Sequence, residues 1–206
     1  MVDRREVASR NAGFAKSTAS FLAKLGFTPN MISVASMLFA LLSLVSYEAA
    51  RSQQLWLLLA VFGIQGRLLC NLFDGMLAIE HGVRSKYGEL YNEVPDRVSD
   101  ALILMGVGLY LRPMEFVMDL AWLAVVLSTM TAYLRTFGAS LVKKHYFTGP
   151  MAKQHRMFLV TLGTIATFFW APALFYVLVI MNVGLVVTNL RRLRQVAIEM
   201  ESQGKG

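Results

Sequence analysis

Arg67, Asn71, Asp74 and Ala78 follow one another at steps of four, three and four residues, and Gly88, Asn92, Asp96 and Asp100 at steps of four. Such steps bring each set onto one face of a helix. A short loop joins the two segments, so the polar faces can look at each other. Carboxylate and amide oxygens are the ligands that hard cations such as Mg2+ take. The stripes therefore read as a divalent-metal site. A plainer account has Arg67 neutralising Asp74 while the rest face water. It covers one pair, not two facing rows of oxygen ligands with glycines beside them.

The elements that position these groups read as membrane-spanning helices. Of 206 residues, 56% are hydrophobic and 16% charged, against about 25% charged in an ordinary soluble domain. Mean hydropathy is +0.52. Six segments approach the roughly 20 apolar residues that cross a bilayer: 31–49, 55–79, 93–111, 116–137, 156–173 and 174–191. The last two are divided only by Pro172, and a single long helix there would put the C-terminus on the other side. Charged groups within such segments are costly, about 2.5–3.5 kcal/mol each at the bilayer centre. That cost marks the stripes as functional.

Lys and Arg fix the orientation. Arg4, Arg5, Arg10, Lys16 and Lys24 precede the first span, and Arg84 and Lys86 lie between the second and third. Lys143, Lys144, Lys153 and Arg156 lie between the fourth and fifth, and Arg191, Arg192 and Arg194 follow the sixth. The opposite loops hold Arg51 and Arg112. Both termini are expected in the cytoplasm, with the polar stripes at the cytoplasmic end. The fold class expected is all-α: an integral membrane protein of six transmembrane helices with an N-terminal cytoplasmic amphipathic helix, in a bacterium in the cytoplasmic membrane.

Within 1–30, Val7, Phe14, Phe21 and Leu25 share a helical face, with Arg5 and Lys16 pointing away, although Arg10 and Asn11 fall near the apolar side. An interfacial helix lying on the membrane and a helix packed on the protein's own flank fit about equally. "TPN" at 28–30 breaks the chain before the first span. With no repeat and no long linker, 1–206 reads as one domain: the interfacial helix at 1–30, six spans over 31–191 and a cytoplasmic tail at 192–206. The net charge of +7 serves orientation and anionic headgroups, and no nucleic acid partner is expected. No cleavable signal peptide is visible. The single cysteine, Cys70, reads as a packing residue.

The stretch 71–96 resembles the signature of the CDP-alcohol phosphatidyltransferase family, D-x2-D-G-x2-A-R-x8-G-x3-D-x3-D. Asp74, Gly75, Ala78, Gly88 and Asp96 fall on its fixed positions without a gap. Asn71 and Asn92 stand where the family has aspartates, and Ile79 where it has arginine. The resemblance implies a transferase of phospholipid biosynthesis that moves a phosphatidyl group from CDP-diacylglycerol to an alcohol and releases CMP. It implies metal ligands at Asn71, Asp74, Asn92 and Asp96 for Mg2+ or Mn2+, with Asp96 the catalytic base. It also implies nucleotide contacts at Asp74, Gly75, Ala78 and Gly88, and a homodimer among membrane lipids. Two carboxylates balance one divalent ion where four would balance two. One firmly held ion is expected, and a second appreciably only with the substrate pyrophosphate. Arg67, Glu93 and Asp100 are auxiliary groups.

Arg135 is the one charge in the cytoplasmic half of the fourth span, and "GPMAKQHR" at 149–156 follows. The resemblance extends to this basic region, which family members with phosphorylated acceptors use. It implies Arg135, Lys153 and Arg156 as acceptor-binding residues, for glycerol 3-phosphate or an inositol phosphate. Lys143 and Lys144 are explained by topology alone. The spacing of His81, His145 and His155 supports no phosphohistidine chemistry. Two other classes compete: a non-catalytic family member that binds CDP-lipid or partners other lipid enzymes, and a transporter. The apolar outer halves of spans two to four count against transport.

Overall fold

The computed structural model describes residues 13–80, 87–143 and 147–203, which form helices and connecting turns without a β-strand among them. The helices are α1 (Gly13–Lys24), α2 (Pro29–Ala49), α3 (Trp56–Glu80), α4 (Gly88–Leu111), α5 (Val117–Val142), α6 (Lys153–Ala166) and α7 (Ala173–Gln203). A helix therefore stands at each of the six expected positions, with α1 ahead of them. Four are long and apolar enough to cross a membrane: Pro29–Ala49, Trp56–Ala78, Val117–Val142 and Ala173–Gln203. Helix α4 falls short because Glu89, Glu93, Asp96, Arg97 and Asp100 crowd its first half. Helix α6 falls short by length, since its 14 residues reach only about 21 Å. The break before α7 also begins earlier than Pro172: α6 stops at Ala166, and Phe168 and Phe169 turn back onto Ile165 and Ala166.

Local signals explain where α2 begins. Thr28 Oγ1 accepts the Met31 N–H at 3.3 Å, and Pro29 opens the helix, where its missing N–H costs nothing. Helix α2 then packs on both α3 and α4. Small residues allow close approach: a Cβ on Gly63 would lie 2.6 Å from the Phe39 carbonyl oxygen, and one on Gly106 3.0 Å from Leu44 Cα. Helix α4 runs unbroken through Pro95.

Helix α5 packs on α7. Two asparagines seven residues apart stitch them: Asn182 Nδ2 donates to the Leu120 carbonyl and Asn189 Nδ2 to the Leu127 carbonyl, each at 3.0 Å. Tyr47, buried on α2, donates to Thr164 of α6. At the end of the bundle away from the polar stripes, Arg51 and Arg112 both pair with Glu48, at 3.0 and 2.9 Å.

Helix α1 packs on α3 through Ala15 and Ala19, while Phe21 and Leu25 are exposed. The expected apolar face thus points outward at its described positions. Val7, Arg5, Arg10 and Asn11 lie outside the described residues, as does the Phe14 side chain. Leu38, Leu58, Phe62, Trp122, Phe158, Ile180 and Leu190 are exposed on the outer faces, whereas Arg67, Asp100 and Arg156 are buried. That inverts the distribution of a water-soluble bundle.

Gly149 lies in the turn before α6 with φ +117°, and a Cβ there would meet Thr188 Cγ2 at 2.5 Å. Thr188 is held in turn, accepting from Met151 N and donating to the Gly184 carbonyl. Gly149→Ala should destabilise the fold by about 1–3 kcal/mol, seen as a lower unfolding midpoint in detergent.

Candidate active site

The polar residues gather at one end of the bundle because successive helices run in opposite directions. The start of α2, end of α3, start of α4, end of α5, start of α6 and end of α7 meet there. Along α4 burial deepens with each turn: Asn92 is exposed, and Asp96 and Asp100 are buried. On α3, Arg67 and Asp74 are buried, while Asn71 and Ala78 are half-buried.

Arg67 does not neutralise Asp74. Its Nη2 reaches Asp100 Oδ1 at 2.6 Å and Asp96 Oδ1 at 3.4 Å. The fourfold steps place these carboxylates one turn apart on α4, and Arg67 is deep enough on α3 to bridge them. Asp100 Oδ2 takes Arg156 Nη2 at 2.6 Å, and Arg156 Nη1 donates to the Met151 carbonyl at 2.9 Å. Asp100 therefore lies at the centre of a buried Arg–Asp–Arg triad. Asp96 Oδ2 pairs with Lys153 Nζ and stands 3.9 Å from Arg97.

Asp74 is held differently. Ser33 Oγ donates to its Oδ2 at 2.6 Å, while Oδ1 is buried without a hydrogen bond. Asn71 Nδ2 is likewise buried and unpartnered, and an amide flip would place its oxygen there. An orphaned carboxylate oxygen with an amide one turn earlier on the same helix is a donor set for a hard divalent ion, so Asp74 and Asn71 fit such a group. Among the described residues no cluster of three His, Cys, Asp or Glu forms a metal site, in keeping with the two asparagines.

Residues 27–193 match the CDP-alcohol phosphatidyltransferase family over a continuous stretch. The chain belongs to that family. The archaetidylinositol phosphate synthase of Pyrococcus horikoshii is 36% identical over 116 residues, 55% of this chain and 56% of that protein. The match thus spans about half the length of that curated relative. Two crystal structures of Mycobacterium tuberculosis phosphatidylinositol phosphate synthase share the fold. One, with CDP-DAG bound, has a TM-score of 0.77 at 21% identity, covering 90% of this chain and 94% of that one. The other, in complex with manganese and citrate, has a TM-score of 0.78 at 20% identity, covering 88% of each.

The basic residues expected on the acceptor side of this family member divide. Arg135 pairs with Glu93 and lies 5.6 Å over the Phe147 ring, so Glu93 is spent on that pair. Lys153 is half-buried on Asp96 and Arg156 is locked against Asp100. Ile79 falls where no side chain is described, and His81, Arg84, Lys86, Lys144 and His145 lie outside the described residues. Sequence reasoning missed two residues. Nothing in the sequence singles out Ser33. Arg192 was read as a topology signal, yet it is buried, donating to the Thr131 and Thr148 carbonyls. Its signal is the spacing Asn182, Asn189, Arg192, at seven and three residues, which continues the buried face of α7.

Proposed function

We propose that the chain is an integral membrane transferase that moves a phosphatidyl group from CDP-diacylglycerol to an alcohol acceptor. The acceptor oxygen bonds to the phosphorus that carries diacylglycerol, the anhydride P–O bond breaks, and CMP leaves. The observation that carries this reading is the asymmetry of the facing carboxylates within a signature in register. Asp74 has a buried oxygen without a partner, while Asp96, one helix away, has both oxygens against cations. Asn71, Asp74, Asn92 and Asp96 would hold Mg2+ or Mn2+, which when bound offsets charge on the pyrophosphate oxygens. Asp96 takes the proton of the acceptor hydroxyl. Gly75, Ala78 and Gly88 leave room for the nucleotide beside the helices.

The acceptor is a phosphorylated alcohol, held by Arg135, Lys153 and Arg156. The names of the Pyrococcus and Mycobacterium relatives support a sugar-alcohol phosphate. Around the site we read one domain of six spans, with α4 and α6 added to the four long apolar helices and α1 lying at the interface through Phe21 and Leu25. Both termini and the site face the cytoplasm, and the chain is a homodimer. Reporters fused to either end should give the same cytoplasmic signal.

The test is CMP release from CDP-diacylglycerol by purified protein with Mg2+ or Mn2+, across phosphorylated and neutral alcohols. Metal-dependent release with one phosphorylated acceptor supports the proposal. Release only with neutral or zwitterionic alcohols rejects the phosphorylated acceptor. CDP-lipid binding without turnover favours the non-catalytic reading. Gly88 offers a separate check, because a Cβ there would meet nothing within 4 Å. Gly88→Val should therefore fold normally yet bind CDP-diacylglycerol at least about tenfold more weakly, a loss of roughly 1.4 kcal/mol, read by ligand titration.

A further inference from the structure

We infer that Arg67 is a resident cation of the site, holding at Asp96 and Asp100 the positive charge that a second divalent ion would bring, so that of the four ligands proposed above Asp74 and Asn71 anchor the ion and the chain takes one. The inference rests on the metal-dependent reading above and concerns only this chain's own residues.

Three observations carry it. The first is the difference between the carboxylates. Asp74 Oδ1 is buried without a partner, whereas both oxygens of Asp96 already face cations, Arg67 on one side and Lys153 on the other. The second is that Arg67 cannot withdraw. It is fully buried and its Nη2 is fastened to Asp100 at 2.6 Å, which Arg156 holds from the far side. Lys153, by contrast, has a quarter of its side chain exposed and can swing aside for a substrate phosphate. A guanidinium also stays charged where an ammonium can lose its proton.

The third is the balance of charge. Asp96 and Asp100 meet Arg67, Arg97, Lys153 and Arg156, and with Asp74 as a third carboxylate at this end of the bundle one net positive charge is left. A single divalent ion raises this to three, and a pyrophosphate diester returns two. A second ion at Asp96 would sit against a guanidinium that has no route away from it. Asn71 and Asn92 are then what a one-ion site requires: oxygen donors that add no charge needing a second ion.

The test counts Mn2+ ions on the purified full chain in detergent, without nucleotide or acceptor, from the free-Mn2+ paramagnetic signal during titration to about 1 mM. The wild type should bind one ion. Asn71→Asp with Asn92→Asp should still bind one, because Arg67 remains in place. Adding Arg67→Gln to that pair should raise the count to two. Two ions on the wild type, two on the double variant, none on the wild type, or one on the triple variant would each overturn the inference. Should the triple variant not fold, the first two counts decide it. Since the count needs no turnover, failure to release CMP leaves it standing, and a CMP-releasing chain with two ions would still refute it.

Discussion

Asp100→Ala is expected to cost about 3–5 kcal/mol of stability, enough to remove most of the folded protein from the membrane. Both oxygens of this buried carboxylate are engaged by guanidinium groups at 2.6 Å. Alanine would strand Arg67 and Arg156 together, two positive charges inside a low-dielectric bundle with one remaining carboxylate, Asp96, at the longer distance of 3.4 Å. Three helices would lose their shared polar contact, since Asp100 joins α4 to both α3 and α6. Asp100→Asn should be milder, because the amide oxygen still accepts one hydrogen bond. The measurement is the detergent-solubilised yield and unfolding midpoint of the two variants beside the wild type. An Asp100→Ala protein as stable as the wild type would remove the triad from the account of the fold.

One turn earlier on the same helix, the opposite outcome is expected. Asp96→Asn should fold, yet lose CMP release by about 10²–10⁴-fold, the range for removing a general base. Stability survives because the cations that Asp96 faces have other recourse. Arg67 keeps Asp100, and the part-exposed ammonium of Lys153 can turn to water. On the proposed role of Asp96 catalysis is lost, because the amide cannot take the acceptor's proton. The paired readouts are an unfolding midpoint within a few degrees of wild type and a CMP assay near background. Unchanged turnover would show that the proton goes elsewhere.

This division between neighbouring carboxylates was only half legible in the sequence. The fourfold steps of Gly88, Asn92, Asp96 and Asp100 declared a common face. Period gives rotation about a helix axis but not depth or partner, so nothing in the spacing points Arg67 to Asp100 across the gap rather than to Asp74, seven residues along its own helix. The "TPN" start of α2 was legible because capping is local. Helix α6 was not, because its early stop at Ala166 leaves no proline or glycine at the point where it happens. Ser33 escaped notice since a serine in an apolar run gives no sign of the carboxylate it meets 41 residues later. Arg156 shows the converse error. Its charge was legible, and its burial beneath Met151, which commits it to the fold as well as to the site, was not.

The two asparagine stitches between α5 and α7 have a mechanical consequence. Each clasp joins residues 62 positions apart, so the pair acts as a vernier with two marks. Sliding one helix along the other by the rise of a single residue, about 1.5 Å, stretches both clasps at once, and tilting that relaxes one clasp strains the other. The α5–α7 side is thus a stiff spine. Helices α3 and α4 have no such ladder between them among the hydrogen bonds described: Arg67 joins them near the site, and each packs on α2.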